Sequence, residues 1–105
     1  MNDKQFDELA ESALKRIEDA LEDCGADLDF EMVGEHILEI IFADDSKIIV
    51  NRHAAAQEIW IAAKSGGFHF RWTGKVWHDT RQGDELLTAL SRLISQQARQ
   101  EVTLR

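Results

Sequence analysis

The sequence predicts an α+β fold: a two-layer α-β sandwich with two helices packed on one face of a five- to six-stranded antiparallel sheet. Three observations carry this. One amphipathic stripe opens the chain and another closes it, and between them lie short β-branched segments separated by turn residues. Consecutive strands with tight turns form an antiparallel meander, of which the helices cover one face and leave the other to solvent or a partner. The 105 residues contain no proline, repeat or low-complexity stretch, so residues 1–105 read as one domain.

The first helix is expected over Asp3 to Cys24, because Phe6, Leu9, Ala10, Ala13, Leu14, Ile17, Ala20, Leu21 and Cys24 recur at three- and four-residue spacing. Gly25 follows as its C-cap. Leu28 to Met32 alternates apolar and acidic residues, and a turn at Gly34-Glu35 leads into Ile37 to Phe42. Asp44-Asp45-Ser46 turns the chain into Lys47 to Arg52, and Glu58 to Ala63 comes next. Ser65-Gly66-Gly67 reads as a hairpin turn before Phe68 to Trp72, and Thr73-Gly74-Lys75 as another before Val76 to Asp79. Asp84 is placed to cap a second helix whose stripe is Leu86, Leu87, Leu90, Leu93 and Ile94, and Val102 and Leu104 lie in a short tail.

No apolar run approaches the ~18 residues that span a membrane. Met1 to Glu11 carries four acids and one lysine, unlike a signal or transit peptide, so a cytoplasmic protein is expected. The single cysteine, Cys24, rules out an internal disulfide and any multi-cysteine metal set, and reads as a small residue on the buried stripe.

Charge is informative through its position. Residues 1–31 hold eleven acids against three bases, which is the whole net charge of −8; residues 32–105 hold nine of each. Such a surface repels nucleic acid and favours cations and basic proteins. On a wheel of ~100° per residue, Asp3, Asp7, Glu11, Glu18 and Glu22 align opposite the apolar stripe. Glu8, Asp19 and Asp23 widen this band, with Lys15 the one base in its middle. Like-charged i,i+4 neighbours cost helix stability, and acids near a helix C-terminus oppose the macrodipole. Asp29 and Glu31 extend the acids onto the next strand, with Asp27 leading in. A merely solvated face requires none of this, although charge runs are most often just that. All-oxygen clusters suit hard cations and weak open iron sites. Asp27-x-Asp29-x-Glu31 fails as an EF-hand opening, because Met32 stands where glycine is required.

His36, His53, His69 and His78 form no paired metal motif, and no catalytic grouping or phosphate loop is recognisable. By alternation Ile59, Ile61 and Ala63 point one way, and Glu58, Trp60 and Ala62 the other. With the isoleucines toward the helices, Trp60 stands on the open face, either as a protein-contact anchor or partly covered by neighbours such as His69 or Arg71. Trp72 groups with Phe68 and Phe70 as core, whereas Trp77 has no clear place.

The acidic first helix, Ile48-Ile49-Val50-Asn51-Arg52, Gln57-Glu58-Ile59-Trp60-Ile61-Ala62 and Gly66-Gly67-Phe68-His69-Phe70 together resemble the bacterial branch of the frataxin family, in matching order along the whole chain. The resemblance implies a regulatory adaptor of iron–sulfur cluster assembly, not an enzyme, that binds Fe2+ and Fe3+ weakly and contacts a cysteine desulfurase and the scaffold protein. It implies a metal ridge of Asp3, Asp7, Glu18, Asp19, Glu22, Asp23, Asp27, Asp29 and Glu31. Partner contacts would fall on Glu11, Glu18, Asp19, Glu22, Asp23, Asn51, Arg52 and Trp60, with the last three on the sheet surface. It implies a monomer, with iron-dependent oligomers as the alternative. Two departures stand out: His53 and Ala54-Ala55-Ala56 replace a glutamine and a proline-containing loop, and Gly25-Ala26 interrupts the acidic run. The other readings are a ferroxidase and iron store, and an acidic protein-binding module indifferent to iron.

Overall fold

A computed structural model describes every residue except Glu35. The chain runs α1 (Asp3–Asp23), β1 (Leu28–Val33), β2 (Ile37–Phe42), β3 (Lys47–His53), β4 (Glu58–Ala63), β5 (Gly66–Trp72), β6 (Trp77–Asp79) and α2 (Leu86–Ala98). The six strands form one antiparallel sheet in sequence order, the expected meander. The turn expected at Gly34-Glu35 includes Glu35, which lies outside the described residues.

Register shows why one face is buried. Leu38, Ile40 and Phe42 of β2 lie opposite Met32, Phe30 and Leu28 on one side and, for the first two, Val50 and Ile48 on the other. Val50 in turn faces Ile61, and Ile59 faces Phe70. This row closes a core with Phe6, Ala10, Leu14, Ile17 and Leu21 of α1 and with Leu86, Leu90, Leu93 and Ile94 of α2. Phe70 is fully buried, and Phe68 and Trp72 pack against the core half-covered. Trp77 is core: its ring meets Phe6 edge-on at 6.0 Å and Trp72 at 5.7 Å.

The helix ends are built locally. Asn2 and Gln5 form a capping box at the start of α1, and Cys24 closes it ahead of Gly25, whose φ of +70° suits glycine. Asp84 does not cap α2. A bridge between His78 and Glu85 holds Glu85 extended, so its carboxylate accepts from the Leu87 amide at 3.0 Å, while Asp84 binds Arg92 at 2.6 Å. The β4–β5 turn is Lys64-Ser65, with Gly66 and Gly67 inside β5. β6 begins one residue later than expected because the Val76 amide donates to Thr73 Oγ1 within the turn. Two serines of α2 hold the C-terminal tail: Leu104 donates to Ser91 Oγ and Val102 to Ser95 Oγ, each at 2.9 Å, burying both apolar side chains.

Candidate functional site: an acidic helix ridge and an open sheet face

Burying the stripe of α1 turns its carboxylates outward. Asp3, Asp7, Glu8, Glu11, Asp19, Glu22 and Asp23 are exposed and Glu18 is half-buried. Lys15 meets Asp19 at 2.9 Å, and this hydrogen bond, with the charges of Asp19, Glu18 and Glu22, raises the lysine above its ordinary pKa. Asp7 meets Arg52 at 3.5 Å, and Asp3 accepts weakly from Gln57 at 3.5 Å. The other ridge acids form no ion pair among the described residues. The last turn of α1 holds no base, so Glu22 and Asp23 face the negative end of the macrodipole unrelieved.

A groove of about 470 Å³ separates the ridge from the sheet edge, lined by Glu8, Glu11, Lys15 and Glu18 beside Met32 of β1. Asp29 and Glu31 lie on the opposite face of that edge strand, opposite Ile41 and Glu39. Lys47 reaches Glu39 at 2.9 Å; that hydrogen bond and the charges of Glu39 and Glu31 raise its pKa. The acids of β1 and α1 therefore flank one edge from two sides, with exposed Asp27 in the connection. Among the described residues, no three His, Cys, Asp or Glu side chains converge as a metal-holding group. The ridge offers an incoming cation adjacent carboxylates on a convex surface, a donor set that fits weak oxygen coordination and leaves most of the ion's water in place.

On the open face, register puts Asn51, Trp60 and His69 in one row and His53, Glu58, Arg71 and His78 in the next. Arg52 does not join Asn51 and Trp60. It lies opposite Ile59 on the helix side, and its half-buried guanidinium meets Asp7 and sits 2.9 Å from His36 Nε2. The alternation that turns Asn51 outward turns its neighbour inward.

Trp60 is sandwiched. His53 stacks on one side at 3.8 Å and 12°, and His69 on the other at 4.5 Å and 14°. The Ala56 amide donates to His53 Nδ1 at 3.2 Å, fixing that ring from the loop that follows β3. The Trp60 indole N–H donates to Glu58 at 2.8 Å, and Arg71 Nε donates to the other oxygen of Glu58 at 2.7 Å. Glu58 is buried although it sits on the open face. Burial pushes its carboxyl up, but the Trp60 and Arg71 hydrogen bonds, with the charges of Arg71 and His69, outweigh burial and hold it below the ordinary value. Of the two alternatives for Trp60, an open contact anchor or a ring partly covered by His69 or Arg71, the structure has the cover by His69, and it adds His53 and Glu58, which alternation alone did not indicate. A hairpin centred on Lys64-Ser65 pairs Glu58 with Arg71; centring it on the glycines hides that pair.

Known proteins resemble the chain in sequence and in fold. A family profile described as the frataxin-like domain matches residues 1–100. An "Iron-sulfur cluster assembly protein CyaY" of Dechloromonas aromatica (strain RCB) is 60% identical over 105 residues, covering 100% of both chains. A protein of the same name from Colwellia psychrerythraea is 44% identical, over 99% of this chain and 97% of its own. A solved frataxin from Psychromonas ingrahamii superimposes with a TM-score of 0.90 at 35% identity, over 98% of this chain and 97% of that one. In sequence over its full length, and in a meander capped on one face by two helices, the chain belongs to the frataxin-like family.

Proposed function

We propose that the chain is an iron-binding regulatory adaptor of iron–sulfur cluster assembly, which acts on a cysteine desulfurase and its scaffold through the ridge of α1. One observation carries the reading. The outward face of a 21-residue helix holds carboxylates of one sign, at a cost to the helix, with its one central lysine already paired. The names of the relatives agree with a role in cluster assembly.

In this reading Glu11, Glu18, Asp19, Glu22 and Asp23 attract a basic surface of the desulfurase, speeding encounter and fixing orientation. Fe2+ or Fe3+ rests weakly on neighbouring carboxylates among Asp3, Asp7, Glu18, Asp19, Glu22, Asp23, Asp27, Asp29 and Glu31. Asn51 and the stacked Trp60 meet the scaffold, while Arg52 contributes by bracing Asp7. The chain performs no covalent step; bound iron alters the charge that the desulfurase meets. The lack of a converging ligand trio among the described residues favours a second reading, an acidic module indifferent to iron, over a ferroxidase, which needs a closed or two-metal site.

Calorimetry against a bacterial cysteine desulfurase tests the proposal, with a Glu18→Lys, Glu22→Lys, Asp23→Lys variant alongside. Micromolar-range binding (about −8 kcal/mol) by the native chain, lost in the variant and weakened by salt, is expected. No binding by the native chain removes the mechanism. Equal binding with and without Fe2+, in a protein that takes up no iron, selects the acidic module instead.

A further inference from the structure

A second groove, away from the ridge, has a different character. It runs between α1, the β5–β6 hairpin and the start of α2, with a volume of about 380 Å³. Leu9 and Ala13 of α1 and Trp72 of β5 form its apolar walls, each half-buried, and Val76 stands at its rim 39% exposed. The walls are stiff. Trp72 rests edge-on against buried Trp77, which rests on Phe6, so the aromatic surface is anchored into the core. The hairpin tip is pinned by Thr73, which exchanges hydrogen bonds with Val76 through its hydroxyl.

Two cations line this groove, Arg16 and Lys75, and neither forms an ion pair among the described residues. The one carboxylate in the lining, Glu85, is engaged in capping α2. In a protein of net charge −8, two uncommitted cations beside apolar surface form a local inversion of sign. Separate hollows adjoin it, one with Glu8 beside Met1 beyond Leu9 and one with Asp19, Asp23 and Arg105 beyond Arg16.

We propose that this groove docks a short peptide segment of a protein partner in which one acidic residue lies between apolar side chains. The acid meets Arg16 and Lys75, and the flanking apolar groups cover Trp72, Leu9 and Val76. A basic segment belongs on the ridge; the groove selects the opposite sign.

The test titrates the 15N-labelled full chain with a capped peptide, Ser-Leu-Asp-Phe-Leu-Ser, and with a counterpart carrying lysine in place of the acid. The indole N–H signals of Trp72 and Trp77 should move while that of Trp60 stays, and the acidic peptide should bind at least about tenfold tighter than the basic one. The double variant Arg16→Glu, Lys75→Glu alters two exposed side chains, and retention of its fold is checked by circular dichroism. It should reverse the preference between the two peptides. Unmoved Trp72 and Trp77 signals at millimolar peptide, equal binding of both peptides, or shifts centred on Trp60 would each overturn the proposal.

Discussion

Glu58 is the residue on which the open face turns. Its carboxylate has only about 8% of its side chain in water, yet it accepts from Trp60 and Arg71 at once, and so fixes the indole plane that His53 and His69 clasp. Its pKa is depressed from 4.5, so its contribution to stability is fully present above that value and is lost as pH falls through the lower folded-state value. Trp60 fluorescence should therefore change as pH falls below 4.5, as protonation weakens the acceptor. Glu58→Gln should remove that acid-dependent step and cost about 1 kcal/mol in a chemical melt, at the low end for a charged hydrogen bond because Arg71 is largely in water. An unchanged fluorescence titration in the glutamine variant would separate Trp60 from Glu58. The loop alanines at 54–56 carry a further role, since the Ala56 amide anchors the outer imidazole of the sandwich.

Within α1, packing and surface chemistry pull in opposite directions. Its inner stripe fills the core, while Glu22 and Asp23 oppose the dipole and no base relieves them. Replacing Glu18, Glu22 and Asp23 by lysine should therefore raise the melting temperature by a few degrees, from a gain of about 0.5–1 kcal/mol. Together with the expected loss of desulfurase binding, that outcome marks the acids as retained against the helix's own preference. A fall in melting temperature would assign them a structural part. The elements themselves were legible in the sequence, because period-2 alternation and a three-four stripe are dictated by burial on one side, and they survive without knowledge of the partners. What was not legible depended on pairing. Arg52 grouped with Asn51 and Trp60 by resemblance, although Val50 and Arg52 must share a face. Trp77 found its place only through Phe6 and Trp72, and Glu85 displaced Asp84 as cap because of a bridge to His78.

Across the whole molecule, charge and core are separated by layer and by chain position. The first third carries the net −8, and the remaining residues, neutral in sum, supply most of the sheet and all of α2. Self-repulsion along α1 and β1 destabilises the compact state at low ionic strength, whereas attraction to a basic partner is strongest there. Salt should therefore move the two properties in opposite directions. Raising ionic strength from about 10 mM to about 300 mM, over which the Debye length shrinks from about 30 Å toward the scale of single contacts, should raise the melting temperature by several degrees. Over the same range desulfurase affinity should fall. Mg2+ or Ca2+ at equal ionic strength should stabilise more than K+, because a divalent ion can sit between neighbouring carboxylates. In the triple lysine variant, whose net charge is −2 rather than −8, the rise of melting temperature with salt should shrink. If melting stays flat with salt while affinity falls, the ridge acids do not repel one another in the folded protein. The charge asymmetry would then act on the partner alone.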